Sequence, residues 1–69
     1  MIKLNKIQQF QLFCLENYKS FKEITGKAAL LEFNCFGVFD YLSNGYEVLH
    51  TQSRNYIIAE IIDFIDERK

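Results

Sequence analysis

The chain has no proline, no tryptophan, one histidine and three glycines in 69 residues. Without proline, no helix is stopped by a missing amide hydrogen, so breaks must come from glycine and short polar residues. Cysteine is scarce: Cys14 and Cys35 lie far apart, and no C-x-x-C occurs. One distant pair with one histidine does not make a metal-ligand set, so no metal and no cofactor is expected. Both thiols are expected to be reduced and buried, with a disulfide as the alternative. Long apolar runs are missing too. Nothing approaches the roughly 18 residues of a membrane span. The run that a signal peptide needs after Lys3 and Lys6 is interrupted by Gln8, Gln9 and Gln11. A cytoplasmic protein is expected.

What remains is apolar and aromatic. Apolar residues make up 49% of the chain, and seven Phe and four Tyr are among them. Disorder is excluded by that content. A chain this short buries only about 60% of the surface its unfolded form exposes, so large side chains matter and self-association is a plausible aid. Net charge is −1, which invites neither nucleic acid nor an anionic membrane. The distribution is uneven. Residues 1–27 carry five Lys against Glu16 and Glu23, a balance of +3, whereas residues 28–69 carry Arg54, Arg68 and Lys69 against seven acids, a balance of −4. Either two solvated faces or a steering field for a partner or a second copy follows from this.

The punctuation at Gly26, Gly37 and Thr51 to Ser53 divides the chain into pieces of helical length. The expected fold is all-α: a compact single domain, residues 1–69, built as a bundle of four helices at about 5–19, 26–36, 39–50 and 54–67. In the first, Asn5 is the N-cap, and Leu4, Ile7, Phe10, Cys14, Leu15 and Tyr18 share a stripe that Leu12 and Phe13 widen. Ser20 to Thr25 reads as a connection, with Phe21 and Ile24 as apolar anchors and Thr25 capping the second helix. That second helix is apolar nearly all round, so it is expected to be the central, buried one, ended by Gly37. In the third, Phe39, Leu42, Tyr46 and Leu49 form a stripe. Gly45 inside it costs about 1 kcal/mol relative to Ala, which implies either close backbone packing or a kink. In the fourth, capped by Ser53, six apolar residues between Ile57 and Ile65 span an arc of about 160° at 100° per residue. Glu60, Asp63, Asp66 and Glu67 recur with the helical period, which decides against a strand.

Chemistry-bearing residues gather where the third helix meets the fourth. His50 has two readings: a base or partner contact, or a brace for the helix corner that bonds the last carbonyls. Thr51, Gln52 and Ser53 offer hydroxyls and an amide, but no nucleophile motif such as G-x-S-x-G exists, and turn and cap chemistry accounts for them. Tyr56 projects among Glu60, Asp63 and Glu67, opposite the isoleucines. It is either stacked on His50 or Tyr46, or exposed for a partner, since tyrosine is enriched at interface hot spots. Gly26-Lys27 lacks the rest of a phosphate-binding loop, and no Glu-x-x-His is present for a di-metal bundle. A helix-turn-helix across Gly37 is conceivable. Its recognition helix would carry Asp40 and Glu47 and no Lys or Arg, which is poor chemistry for phosphates.

The runs Gly37-Val38-Phe39-Asp40-Tyr41-Leu42, Tyr46-Glu47-Val48-Leu49-His50-Thr51-Gln52 and Tyr56-Ile57-Ile58 resemble a family of short bacterial proteins known as a domain of unknown function. Thr25-Gly26-Lys27 and Phe33 are similar as well, and the likeness covers roughly Asn17 to the C-terminus. The resemblance implies a small helical cytosolic protein. It also implies an antitoxin or accessory role, since similar proteins can be encoded beside ADP-ribosyltransferase-like toxins. The resulting expectation is a non-enzymatic module that binds another protein, or itself as a homodimer, through Tyr46, His50, Thr51, Gln52, Tyr56, Glu60 and Asp63. The alternatives are a helix-turn-helix regulator and a small enzyme using His50.

Overall fold

A computed structural model describes residues 3–69. Five helices follow one another: α1 Lys6–Lys22, α2 Gly26–Phe36, α3 Val38–Asn44, α4 Tyr46–Leu49 and α5 Arg54–Asp66. Among the described residues there is no strand, so the all-α expectation holds. The third expected helix is the one that differs. It is divided at Gly45 into α3 and the single turn α4.

The division has a local cause. A Cβ on Gly45 would lie 3.1 Å from Leu49 Cδ1 and 3.3 Å from the Tyr41 carbonyl oxygen. Of the two readings of this glycine the kink is realised: the atoms nearest to it are the Leu49 side chain and the carbonyl of its own preceding turn, and no backbone from another element is among them.

Helix starts follow the expected chemistry. Asn5 Oδ1 accepts from Gln8 N–H at 2.8 Å, and Gln8 Oε1 accepts in return from Asn5 N–H at 3.0 Å, a reciprocal cap. Thr25 and Ser53 accept from Ala28 N–H and Tyr56 N–H respectively. Gly37 adopts the left-handed conformation, φ 71°.

α1 ends later than expected. Residues 20 to 22, expected to be part of a connection, are helical. The helix runs through them to Lys22 and stops at Glu23, which takes the left-handed conformation at φ 55°. Helical bonding to Lys19 and Ser20 carbonyls outweighs the cost of that conformation, roughly 1–2 kcal/mol for a residue with a Cβ. Phe21 is thereby lifted onto a helix and left 64% exposed, rather than anchoring a loop.

The core consists of Tyr18, Phe33, Leu42, Ile61, Ile65, Val38 and Cys14, all fully buried, with Phe10, Ala29, Leu49, Ile57 and Ile58 around them. α1 is its centre. Gln11 Nε2 donates to the Phe39 carbonyl and the Tyr18 hydroxyl donates to Glu32, so α1 runs opposite in sense to the α2–α3 segment. On its other side it meets α5, where Arg54 Nη1 donates to Asn17 at 3.4 Å.

The expectation that α2 is central and buried all round is corrected. It buries only Ala29 and Phe33 and leaves Leu30, Leu31 and Cys35 exposed. A chain of this size has too little mass to cover both sides of an 11-residue helix once the longer α1 has taken the middle. The two thiols consequently part company. Cys14 is buried, and burial pushes its pKa up to about 12, whereas Cys35 faces solvent. Neither is in a disulfide.

Candidate functional site

The α4–α5 corner is made by side chains that cap each other's backbone. His50 Nδ1 lies 2.6 Å from the Tyr46 carbonyl oxygen, so Nδ1 carries the proton and donates. The imidazole stacks flat on the Tyr46 ring, centroids 4.3 Å apart and planes 7° apart. Tyr46 in turn meets Phe10 of α1 edge-on at 5.5 Å. Thr51 Oγ1 donates to the Val48 carbonyl at 2.8 Å, and Ser53 starts α5. The corner is thus an exposed polar knot tied to the core through Tyr46.

The expected residues separate into two groups. Tyr46, His50 and Thr51 come together in the knot, where each has an internal partner. Gln52 is exposed beside them. Tyr56 joins neither His50 nor Tyr46; the alternative of a stack with either is replaced by the His50–Tyr46 pair itself. It is 46% exposed on the outward side of α5. Glu60 lies one turn on, and hydrogen bonding to its carboxylate, then its negative charge, raises the Tyr56 hydroxyl above a phenol's ordinary range. Asp63 continues the same face. Among the described residues, neither Glu60 nor Asp63 forms an ion pair; those present are Lys19–Glu16 and Lys69–Asp66.

Two further residues belong to this ridge. Tyr41 of α3 stacks on Phe64 of α5, centroids 4.2 Å apart, and the Arg68 guanidinium sits 3.5 Å from the Phe64 centroid. Burial raises the Tyr41 hydroxyl first, and the Glu60 charge adds to it, which puts Tyr41 beside the Tyr56–Glu60 pair. Tyr41 falls off the Phe39–Leu42–Tyr46 stripe; being aromatic outside a core stripe was the one sequence signal for it. Val48 was missed as well. It is 65% exposed at the corner, an apolar side chain with no place in the core.

One family model matches the chain over residues 9–68. The chain belongs to the family described as "Protein of unknown function (DUF3791)". No curated protein and no solved structure matches it.

For a DUF3791 chain, then, chemistry must be read from the groups themselves. Cys14 is buried, and a thiol whose pKa is about 12 stays protonated near neutral pH and is no nucleophile there. His50 has its Nδ1 committed to a carbonyl. Among the described residues, no group of three or more His, Cys, Asp and Glu side chains has the geometry to hold a metal ion. The helix that would enter a DNA groove is the seven-residue α3, with Asp40 and no Lys or Arg. No helix among the described residues is long and apolar enough to cross a membrane. What the outward face of α5 offers is an aromatic ring next to unpaired carboxylates. That pairing recognises a cation: the ring face through its quadrupole, the carboxylate through charge-assisted hydrogen bonds.

Proposed function

We propose that this domain is a non-enzymatic module that binds another protein, and that the contact is the outward ridge of α5 with the corner beside it. The observation that carries the reading is Tyr56. A large aromatic with no core role lies half exposed, flanked by Glu60 and Asp63, whose carboxylates form no ion pair among the described residues. Exposed Val48 and Gln52 extend the surface toward the corner. Aromatic anchors within a polar rim are the usual anatomy of a protein interface. The partner surface that fits is basic, presenting Arg or Lys to the ridge. An antitoxin-like or accessory partner of an enzyme or toxin is the role this suits, and the family resemblance supports it.

The test is capture of partners on the tagged chain from its native host, with bound material identified by mass spectrometry and by nucleic-acid stain. A stoichiometric protein, retained by the wild type and lost on Tyr56→Ala and on Glu60→Lys while both variants melt as the wild type does, is the expected result. Bound nucleic acid, or a protein whose capture ignores both substitutions, would overturn it.

A further inference from the structure

Tyr56, Glu60 and Phe64 follow one another at four-residue spacing along one face of α5, and Arg68 continues the row just past its end. The two aromatic members of the row differ. Phe64 is finished within the chain. Tyr41 stacks on one of its faces, centroids 4.2 Å apart, which leaves the other face to the Arg68 guanidinium, 3.5 Å from the centroid. Arg68 Nη1 also donates to the Phe64 carbonyl oxygen at 3.2 Å. One arginine therefore does two things at once: its flat face meets a ring, and a donor in its plane meets an oxygen. Tyr56 has a ring and an oxygen beside it but no such cation among the described residues. Gln52 stands one turn before it and Glu60 one turn after. The Tyr56 ring is 46% exposed, and Glu60 enters no ion pair among the described residues.

We infer, resting on the interaction reading above, that the partner group seated on this row is an arginine side chain, its face on the Tyr56 ring and its fork on the Glu60 carboxylate. Charge complementarity calls for a cation, and the ring next to the carboxylate selects which one. A guanidinium is planar, so stacking on a ring leaves its N–H donors free at the edge for a carboxylate. It is also weakly hydrated, and it exchanges water for a half-exposed ring at little cost. A lysine ammonium is a compact, strongly hydrated charge with no flat face to lay on a ring. The cations of the chain itself divide in the same way. Lys19 and Lys69 each pair with a carboxylate, on Glu16 and Asp66, whereas Arg68 takes a ring together with an oxygen.

The test uses the full chain and two blocked peptides of equal charge, tetra-arginine amide and tetra-lysine amide, titrated at low salt and followed by the backbone amide signals in NMR. Tetra-arginine amide is expected to move the signals of Tyr56 and Glu60 saturably and to bind roughly threefold more tightly than tetra-lysine amide. Glu60→Gln is expected to weaken the arginine peptide about threefold. Glu47→Gln, which removes the same charge from outside the row, should leave its affinity unchanged. Tyr56→Leu is expected to bring the two peptides to equal affinity. Equal affinities for the wild-type chain overturn the inference. So do equal losses in Glu60→Gln and Glu47→Gln, which are the mark of diffuse attraction, and signals that move elsewhere than on the row. If the peptides bind alike while a captured partner still depends on Tyr56 and Glu60, the arginine seat falls and the ridge stands. A captured protein indifferent to Tyr56→Ala counts instead against the ridge itself.

Discussion

The α2–α3 and α4–α5 corners turn the same chain by different means. The first uses one residue, Gly37, in the left-handed conformation, and buries the next residue, Val38, completely. The second spans His50 to Ser53, stays exposed, and satisfies its helix ends with side chains: His50 and Thr51 on carbonyls, Ser53 on an amide. One corner is built of backbone inside the core, the other of polar side chains in water. The contrast bears on function. At the exposed corner the distinctive residues His50, Thr51 and Ser53 already have internal work, so a recognisable motif there is accounted for by the fold. Residues that neither fill the core nor hold the corner, Tyr56, Glu60, Asp63, Gln52 and Val48, are left at the surface for something outside the chain.

The sharpest contrast is between two valines. Val38→Asp places a carboxylate in the fully buried corner and is expected to cost more than about 4 kcal/mol, enough to unfold a small domain. Val48→Asp at the exposed corner is expected to stay within about 0.5 kcal/mol. Chemical denaturation of both variants measures the difference, and equal costs would erase the distinction between the corners.

The core side also sets the alkaline limit. Cys14 goes from an ordinary 9.0 up to about 12 through burial. Tyr18 is raised by burial and then by its hydrogen bond to Glu32. Both groups are held neutral in the folded chain more firmly than in the unfolded one. Their contribution is therefore complete below about pH 9 and is lost as pH rises toward their folded values. Melting temperature is expected to fall progressively above pH 9, less steeply in Tyr18→Phe. An identical slope in that variant would remove Tyr18 from the account.

Smaller effects compare the two turning devices themselves. Gly37→Ala meets no neighbouring atom within 4 Å, so its cost is conformational, about 1–2 kcal/mol. Ser53→Ala removes the α5 cap and is expected to cost about 1 kcal/mol. Tyr56→Ala, on the ridge, should change stability by no more than about 0.5 kcal/mol. Melts of the three variants rank them; a large loss for Tyr56→Ala would make that ring a structural member.

Much of this was legible in the residues. Asn5, Thr25 and Ser53 announce helix starts because their side-chain oxygens reach back to free amides, and Gly37 announces a stop. The isoleucines of α5 face inward as their spacing requires. The failures come from terms that a wheel does not contain. α2 looks buried by composition, but burial depends on what mass remains to cover it, and Leu30 and Leu31 are left exposed. α1 runs past the expected end near residue 19 because Ser20 to Glu23 carries no glycine or proline to break it, and it stops only where Glu23 turns left-handed. Of the site, Tyr56, Glu60 and Asp63 were legible as a face. The stacking of His50 on Tyr46 is a local contact across one turn, whereas the pairing of Tyr41 with Phe64 depended on how α3 meets α5, which no helix wheel contains.

The most direct measurement sets binding against stability for the two groups of residues. For the captured partner, affinity and melting temperature would be determined together for Thr51→Ala, Ser53→Ala, Tyr56→Ala and Glu60→Lys. The expected result is that the first two lower the melting temperature and leave the affinity of the folded chain unchanged. The last two should do the reverse. Affinity lost at Thr51 and Ser53 but kept at Tyr56 and Glu60 would contradict the account and return the binding site to the corner itself.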